Sequence, residues 1–178
     1  TGGTAYLPDS DNGKIRVVDA ETGDTSTLVS QQNFQKPFAM LYADGQLYVS
    51  ADRSPDLMQS NMSGTIWKVD INAREATPLA VGIGRPRGMA MLNGKLYVTD
   101  YQNHVISVVD PNSGAVTALA GAWQVAGMVD AAGTAAMFNQ PYGIVVKDGK
   151  LIVADYGNHR LREVGTDGSV RTLAGVGT

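Results

Sequence analysis

Cysteine is absent from the 178-residue chain, which excludes disulfides, thiolate metal sites and cysteine nucleophiles. A basic excess is missing too: 14 Lys and Arg stand against 17 Asp and Glu, a formal net charge of -3. The chain thus lacks the positive field by which nucleic-acid binders and membrane-surface proteins hold phosphates, and neither partner is expected. Histidine occurs only twice, no Gly-x-Ser-x-Gly elbow is present, and no Ser is visibly partnered with a His, so no catalytic residue is assigned. The opening Thr1-Gly2-Gly3-Thr4 carries no initiator Met, basic n-region or apolar h-region, as expected of a mature or excised piece. The least charged stretch, 116–138, contains Gln124, Asp130 and several Gly and Thr residues. These would be costly against lipid, so membrane insertion is not expected. What is present is a chain 43% hydrophobic and 17% charged, able to bury a core in a soluble globular fold.

One pattern occurs four times: Ala5-Tyr6-Leu7-Pro8-Asp9, Leu47-Tyr48-Val49-Ser50-Ala51-Asp52, Leu96-Tyr97-Val98-Thr99-Asp100 and Leu151-Ile152-Val153-Ala154-Asp155. Its spacing, roughly 40 to 55 residues, is the length of a propeller blade. Before the last three copies lies a Pro-led apolar run, from Pro37, Pro86 or Pro141, closed by Asp44-Gly45, Asn93-Gly94 or Asp148-Gly149. Those dipeptides predict tight hairpins, since both central turn residues need positive φ. After each copy come a third run (15–19, 66–70, 106–110, 161–164) and a fourth (26–29, 76–79, 116–120, 170–174). Four short antiparallel strands per unit, a to d, predict an all-β propeller of four-stranded antiparallel blades. About four blades are expected: 4–30 lacking its first strand, 36–80, 85–121 and 140–175. An array this short leaves bare blade faces. It is expected to be part of a six- to eight-bladed ring, either a portion of a larger propeller or a half-ring completed by a second copy.

The segments Asp100-Tyr101-Gln102-Asn103-His104 and Asp155-Tyr156-Gly157-Asn158-His159, with Pro141-Tyr142-Gly143-Ile144 and Thr172-Leu173-Ala174-Gly175, resemble NHL repeats. The long stretch 121–140 resembles the linker between strands d and a in NHL proteins of bacterial type. The resemblance implies an NHL propeller over essentially the whole chain. The first two units depart from it, because no Asn-His pair follows Asp9 or Asp52. The Gly-His and Trp-Asp pairs of another propeller family are absent.

In such a blade order the d-to-a and b-to-c connections open on one face. That face carries everything irregular: 30–36, 53–63, 81–85 and 121–140. The opposite face carries only stereotyped turns, and function tends to sit where loops vary on a rigid scaffold. The entrance of strand a lies near the axis, which places Lys36, Phe38, Arg85, Arg87, Gln140 and Tyr142 around the channel mouth as candidate ligand-binding residues. Two Arg and one Lys there suit an anionic or carboxylate-bearing ligand through forked hydrogen bonds.

Other motifs fall to structural readings. His104 and His159 repeat once per blade after an Asn, so Asp and Asn are expected to tie the b-to-c turn, rather than the histidines to bind metal. Asp9-Ser10-Asp11-Asn12-Gly13 hints at calcium but fails the EF-hand spacing. Gly82-Ile83-Gly84-Arg85-Pro86-Arg87-Gly88 has the wrong glycine spacing for a phosphate loop and no helix after it. Asn61-Met62-Ser63 fits the glycosylation sequon. No cofactor is expected, with Ca or Zn kept only as exceptions.

The function expected is a non-enzymatic ligand- or protein-binding scaffold that presents the irregular face to a protein or a small anionic ligand. The alternative is a metal-dependent propeller lyase or hydrolase whose remaining ligands lie outside this segment. By resemblance, an extracytoplasmic location is expected.

Overall fold

The computed structural model describes residues 3–57, 60 and 62–175, so Asn61 of the sequon lies outside the described residues. Every strand in it pairs with its neighbour in sequence. The first sheet holds β1 (Thr4–Asp9), β2 (Lys14–Asp19) and β3 (Thr25–Ser30). The second holds β4 (Pro37–Ala43), β5 (Gln46–Ala51), β6 (Gly64–Asp70) and β7 (Glu75–Ile83). The third holds β8 (Pro86–Leu92), β9 (Lys95–Asp100), β10 (Val105–Val109) and β11 (Val116–Ala120). The fourth holds β12 (Pro141–Lys147), β13 (Lys150–Asp155), β14 (Arg160–Val164) and β15 (Val170–Ala174). All pairings are antiparallel, and successive sheets stack as the blades of a propeller.

The hairpin dipeptides behave as their chemistry requires. Asp44 and Gly45 sit at φ 50° and 78°, Asn93 and Gly94 at 52° and 69°, Asp148 and Gly149 at 51° and 73°. Strand β7 runs on to Ile83, past the blade end at 80 and into the loop at 81–85 read from the sequence. Bulges at Gly64/Thr65 and Ile66/Trp67 let it keep pairing with β6, which sequence periodicity does not reveal.

Side chains alternate across each strand, so each blade faces both neighbours. Leu47, Val49, Trp67 and Val69 of the second blade pack with Ile15, Val29 and Phe34 of the first. Tyr48, Ile66 and Ala80, on the other face, pack with Leu96, Val98 and Val109 of the third. Ala90, Tyr97, Ile106 and Ala120 then meet Leu151, Val153 and Val164 of the fourth. Each Val, Leu, Ile or Phe among them stabilises by roughly 1.5 to 3 kcal/mol on full burial. The inner strands touch in series, β4 to β8 to β12, with β1 against β4, and no comparable contact joins β12 to β1. The blades thus form an open arc. On the far face of the fourth blade, Val145 and Leu161 are 60% and 45% exposed. By strand register they correspond to Ala90 and Ile106, 5% and 0% exposed in the preceding interface.

Within a blade, a buried carboxylate ties the end of strand b to the entry of strand a. Oδ1 of Asp100 accepts from the backbone N–H groups of Arg85 (3.0 Å), Gln102 (3.1 Å) and Asn103 (3.1 Å), while Oδ2 accepts from Gly84 N–H (2.9 Å) and Asn103 Nδ2 (2.8 Å). One side chain thus holds both its own turn and the entry to strand a. Asp155 repeats the device, accepting from Asn139 N–H (2.7 Å), Asn158 Nδ2 (2.8 Å) and Arg162 (2.7 Å). The residue after each of these Asn is left-handed, His104 at φ 61° and His159 at 54°, a conformation that His tolerates better than most side chains. Asp9 and Asn12 make the same bond at 2.8 Å, with Gly13 left-handed at φ 60°. Gly therefore does in the first blade what His does in the last two.

Asp100→Ala is expected to lower stability in urea unfolding by roughly 3 kcal/mol or more, since several N–H groups lose their acceptor. Asp148→Asn, between two residues that both accept positive φ, is expected to stay within about 0.5 kcal/mol.

Candidate functional site

Strand pairing places two positions of each of the last three blades at the axial end of the irregular face. One is the residue after the Pro of strand a, namely Phe38, Arg87 or Tyr142. The other is found by counting along strand b from the residues that pair with Met40, Met89 and Ile144, which are Val49, Val98 and Val153. Counted so, Ala51 takes the place of Asp100 and Asp155, and Asp52 takes the place of Tyr101 and Tyr156. The repeated Leu-Tyr-Val and the ladders agree: Ala51 stands opposite Pro37 as Asp100 stands opposite Pro86, so Asp52 lies one residue beyond the place of Asp100. In a strand, one residue is a change of face.

The consequence is chemical. Ala51, fully buried, has no carboxylate to tie the turn, and Asp52 instead turns toward the axis and clamps the next blade's arginines. Arg87 donates through Nη1 to Oδ1 at 2.6 Å and through Nη2 to Oδ2 at 3.0 Å, and Arg85 Nη2 reaches Oδ2 at 3.0 Å. Burial alone raises the Asp52 pKa, but the hydrogen bonds of Arg87 and Arg85 outweigh it and hold the carboxyl below its ordinary value.

Arg87 is largely committed. Its side chain is 6% exposed, it also donates to Pro86 O at 3.2 Å, and its guanidinium lies 4.1 Å from the Phe38 ring centroid and 5.8 Å from that of Tyr101. Arg85 is 46% exposed and uses only Nη2 among the described residues. Arg53, on the irregular loop after Asp52, makes no ion pair among the described residues. Lys36 pairs at 2.9 Å with Asp11, which is 93% exposed and therefore a weak partner. These groups line one cleft of about 630 Å³ together with Phe38, Asp52, Ser10, Ser60, Ser63 and Gln102.

Beside the cleft lies an aromatic row. Tyr142 meets Phe38 edge-on at 6.0 Å, Tyr101 at 6.0 Å and Tyr156 at 5.9 Å. Of the six residues expected at the channel mouth, Lys36, Phe38, Arg85 and Arg87 line the cleft, and Tyr142 adjoins it through Phe38. Gln140 enters by its backbone, whose N–H donates to Nδ1 of His104 at 3.0 Å. Asp52, Tyr101 and Tyr156 were not among the candidates expected from the sequence, although each follows directly on the repeated strand b, and Arg53 entered only as a cation of the irregular loop at 53–63. The motif at 82–88 binds no free anion by its backbone, because Asp100 already takes the N–H groups of Gly84 and Arg85. The acidic loop 9–13 sends Asp9 to Arg16 and Asp11 to Lys36. Among the described residues no three of His, Asp and Glu converge as metal ligands. The linker 121–140 is pinned by fully buried Arg162, which donates to Val129 O, Met137 O and Asp130.

The model of one protein family, the NHL repeat, matches residues 138–163. The NHL repeat-containing protein 2 of Bos taurus is 30% identical over 159 residues, covering 88% of this chain and 18% of that protein. The chain therefore spans less than a fifth of this relative. The relative is eukaryotic, so it lends nothing to the bacterial type expected from the linker. Among solved structures, an auxiliary nutrient binding protein from Bacteroides thetaiotaomicron superposes with a TM-score of 0.70 at 18% identity, over 96% of this chain and 46% of that one. A streptogramin B lyase superposes at 0.69 and 15% identity, over 96% and 50%. At such identities these two likenesses show the propeller fold alone.

Stability from the Asp52 clamp is expected to be fully present from pH 7 down to about 5, above the ordinary carboxylate pKa near 4. It is lost as the pH falls further, through the lowered folded-state pKa. Acid titration followed by circular dichroism should show this limb flattened in Asp52→Asn, at a cost of about 1 to 3 kcal/mol at neutral pH.

Proposed function

The chain belongs to the NHL-repeat family, and on that footing we propose that it is a non-enzymatic binding scaffold whose irregular face takes an anionic ligand at the Asp52 cleft. The observation that carries this reading is local charge. Lys36, Arg53, Arg85 and Arg87 converge on one cleft of a chain whose net charge is -3, and among the described residues Asp52 is the one carboxylate lining it. A cleft of about 630 Å³ falls in the usual range for small-molecule or short-peptide sites. Guanidinium forks with unspent N–H groups suit carboxylates and phosphates.

The same proposal extends to assembly. The far face of the fourth blade repeats the apolar pattern of an inter-blade interface. It is read as the seat of a further blade, from a larger ring or a second copy.

Citrate and inorganic phosphate, titrated against the chain in low salt, are expected to raise its melting temperature, by a few degrees at saturation. Arg85→Ala should abolish that rise while leaving the unliganded melting temperature nearly unchanged, because Arg85 is half exposed. An equal rise in the variant counts against the cleft as the site.

A further inference from the structure

Resting on that reading of the cleft, we infer that its ligand is an acidic peptide, bound with a carboxylate on Arg85 and Arg53 and an apolar side chain laid on Tyr142 and Tyr156. Three observations lead there. The first is the state of the cations. Arg87 is largely committed to Asp52, Pro86 O and the Phe38 ring, whereas Arg85 and Arg53 retain donors that face the cleft. Asp52 in the fork of Arg87 shows that a carboxylate fits this chemistry, and a second carboxylate meets donors of the same kind on Arg85 and Arg53.

The second observation is the direction of the aromatic row. It starts at Phe38 in the cleft wall and continues through Tyr142 to Tyr156 in steps of 6.0 and 5.9 Å. Tyr142 and Tyr156 are 38% and 59% exposed, so their rings are open to a ligand. Two such steps reach at most about 12 Å, which is up to three to four residues of extended chain at about 3.3 Å per residue. A ligand confined to the cleft would leave it unused. The row is a strand-register product, since these rings occupy the two axial positions of their blades.

The third observation is the sign of the rest of the molecule. A net charge of -3 repels a polyanion bearing one charge per unit, such as single-stranded nucleic acid, at every step beyond the cleft. A peptide with one or two carboxylates and an apolar side chain places its charge only where the cations are. An uncharged sugar chain would use the rings but not the arginines.

The test is fluorescence anisotropy with a labelled, terminally blocked octapeptide carrying two Glu and, two or three residues on, a Trp. Binding is expected in low salt and should weaken as salt rises. Arg85→Ala and Arg53→Ala should each weaken it by about tenfold or more. Exchanging Glu for Gln in the peptide should cost a similar factor with the unchanged chain and little further with Arg85→Ala, because both changes remove one interaction. Tyr142→Ala should weaken the Trp peptide and leave its Gly counterpart unaffected. The inference is overturned if the Gln peptide binds as well as the Glu peptide, or if oligo(dT) of the same length binds more tightly through the same residues. If citrate stabilises the chain through Arg85 while no peptide binds, the anion site stands and the peptide falls. If neither binds, both fall.

Discussion

Much of this structure hangs on a buried carboxylate at the end of strand b, Asp100 in the third blade and Asp155 in the fourth. A carboxylate removed from water must be met by several donors, and Asp100 finds them in two places at once: its own turn and the chain entering strand a of the same blade. Both segments are otherwise irregular backbone, with N–H groups that no sheet satisfies. The carboxylate thus fixes where strand a begins relative to strand b. That in turn decides which side chains stand beside the axis. The apolar faces between blades supply most of the stabilisation, but they are permissive about the exact position of loops.

The second blade shows what happens when the carboxylate moves by one residue. With Ala51 in the tying position, no carboxylate holds the turn, and Asp52 points along the axial face. There it organises Arg85 and Arg87 from the neighbouring blade into one hydrogen-bonded group, with Arg87 backed by Phe38. A structural residue has in effect been transferred to the site. The blade that departs furthest from the repeat is the one that builds the cleft, as expected where a local rule is relaxed in favour of a site.

The repeat was legible because it rests on local rules. Asp-Gly and Asn-Gly demand positive φ wherever they fall, Pro marks the start of each inner strand, and alternation of apolar residues reports two buried faces. Lys36, Phe38, Arg85 and Arg87 could be placed together because they flank those prolines. Asp52, Tyr101 and Tyr156 escaped because they lie just past the repeated strand, where direction depends on how the blades pack, and the extension of β7 escaped because bulges leave no period. Asn12 shows the converse: without a following His the turn looked lost, yet Gly13 meets the same backbone demand.

The amino-acid sequence by itself determined the strand order, the hairpins and the radial stacking of blades, since these follow from short-range conformational preference and from the burial of alternating side chains. Only the tertiary structure decided which charges meet. Asp52 lies 33 and 35 residues from Arg85 and Arg87, and whether they pair depends on ladder register and on the angle between adjoining blades. Those are properties of packed sheets, and no local preference encodes them.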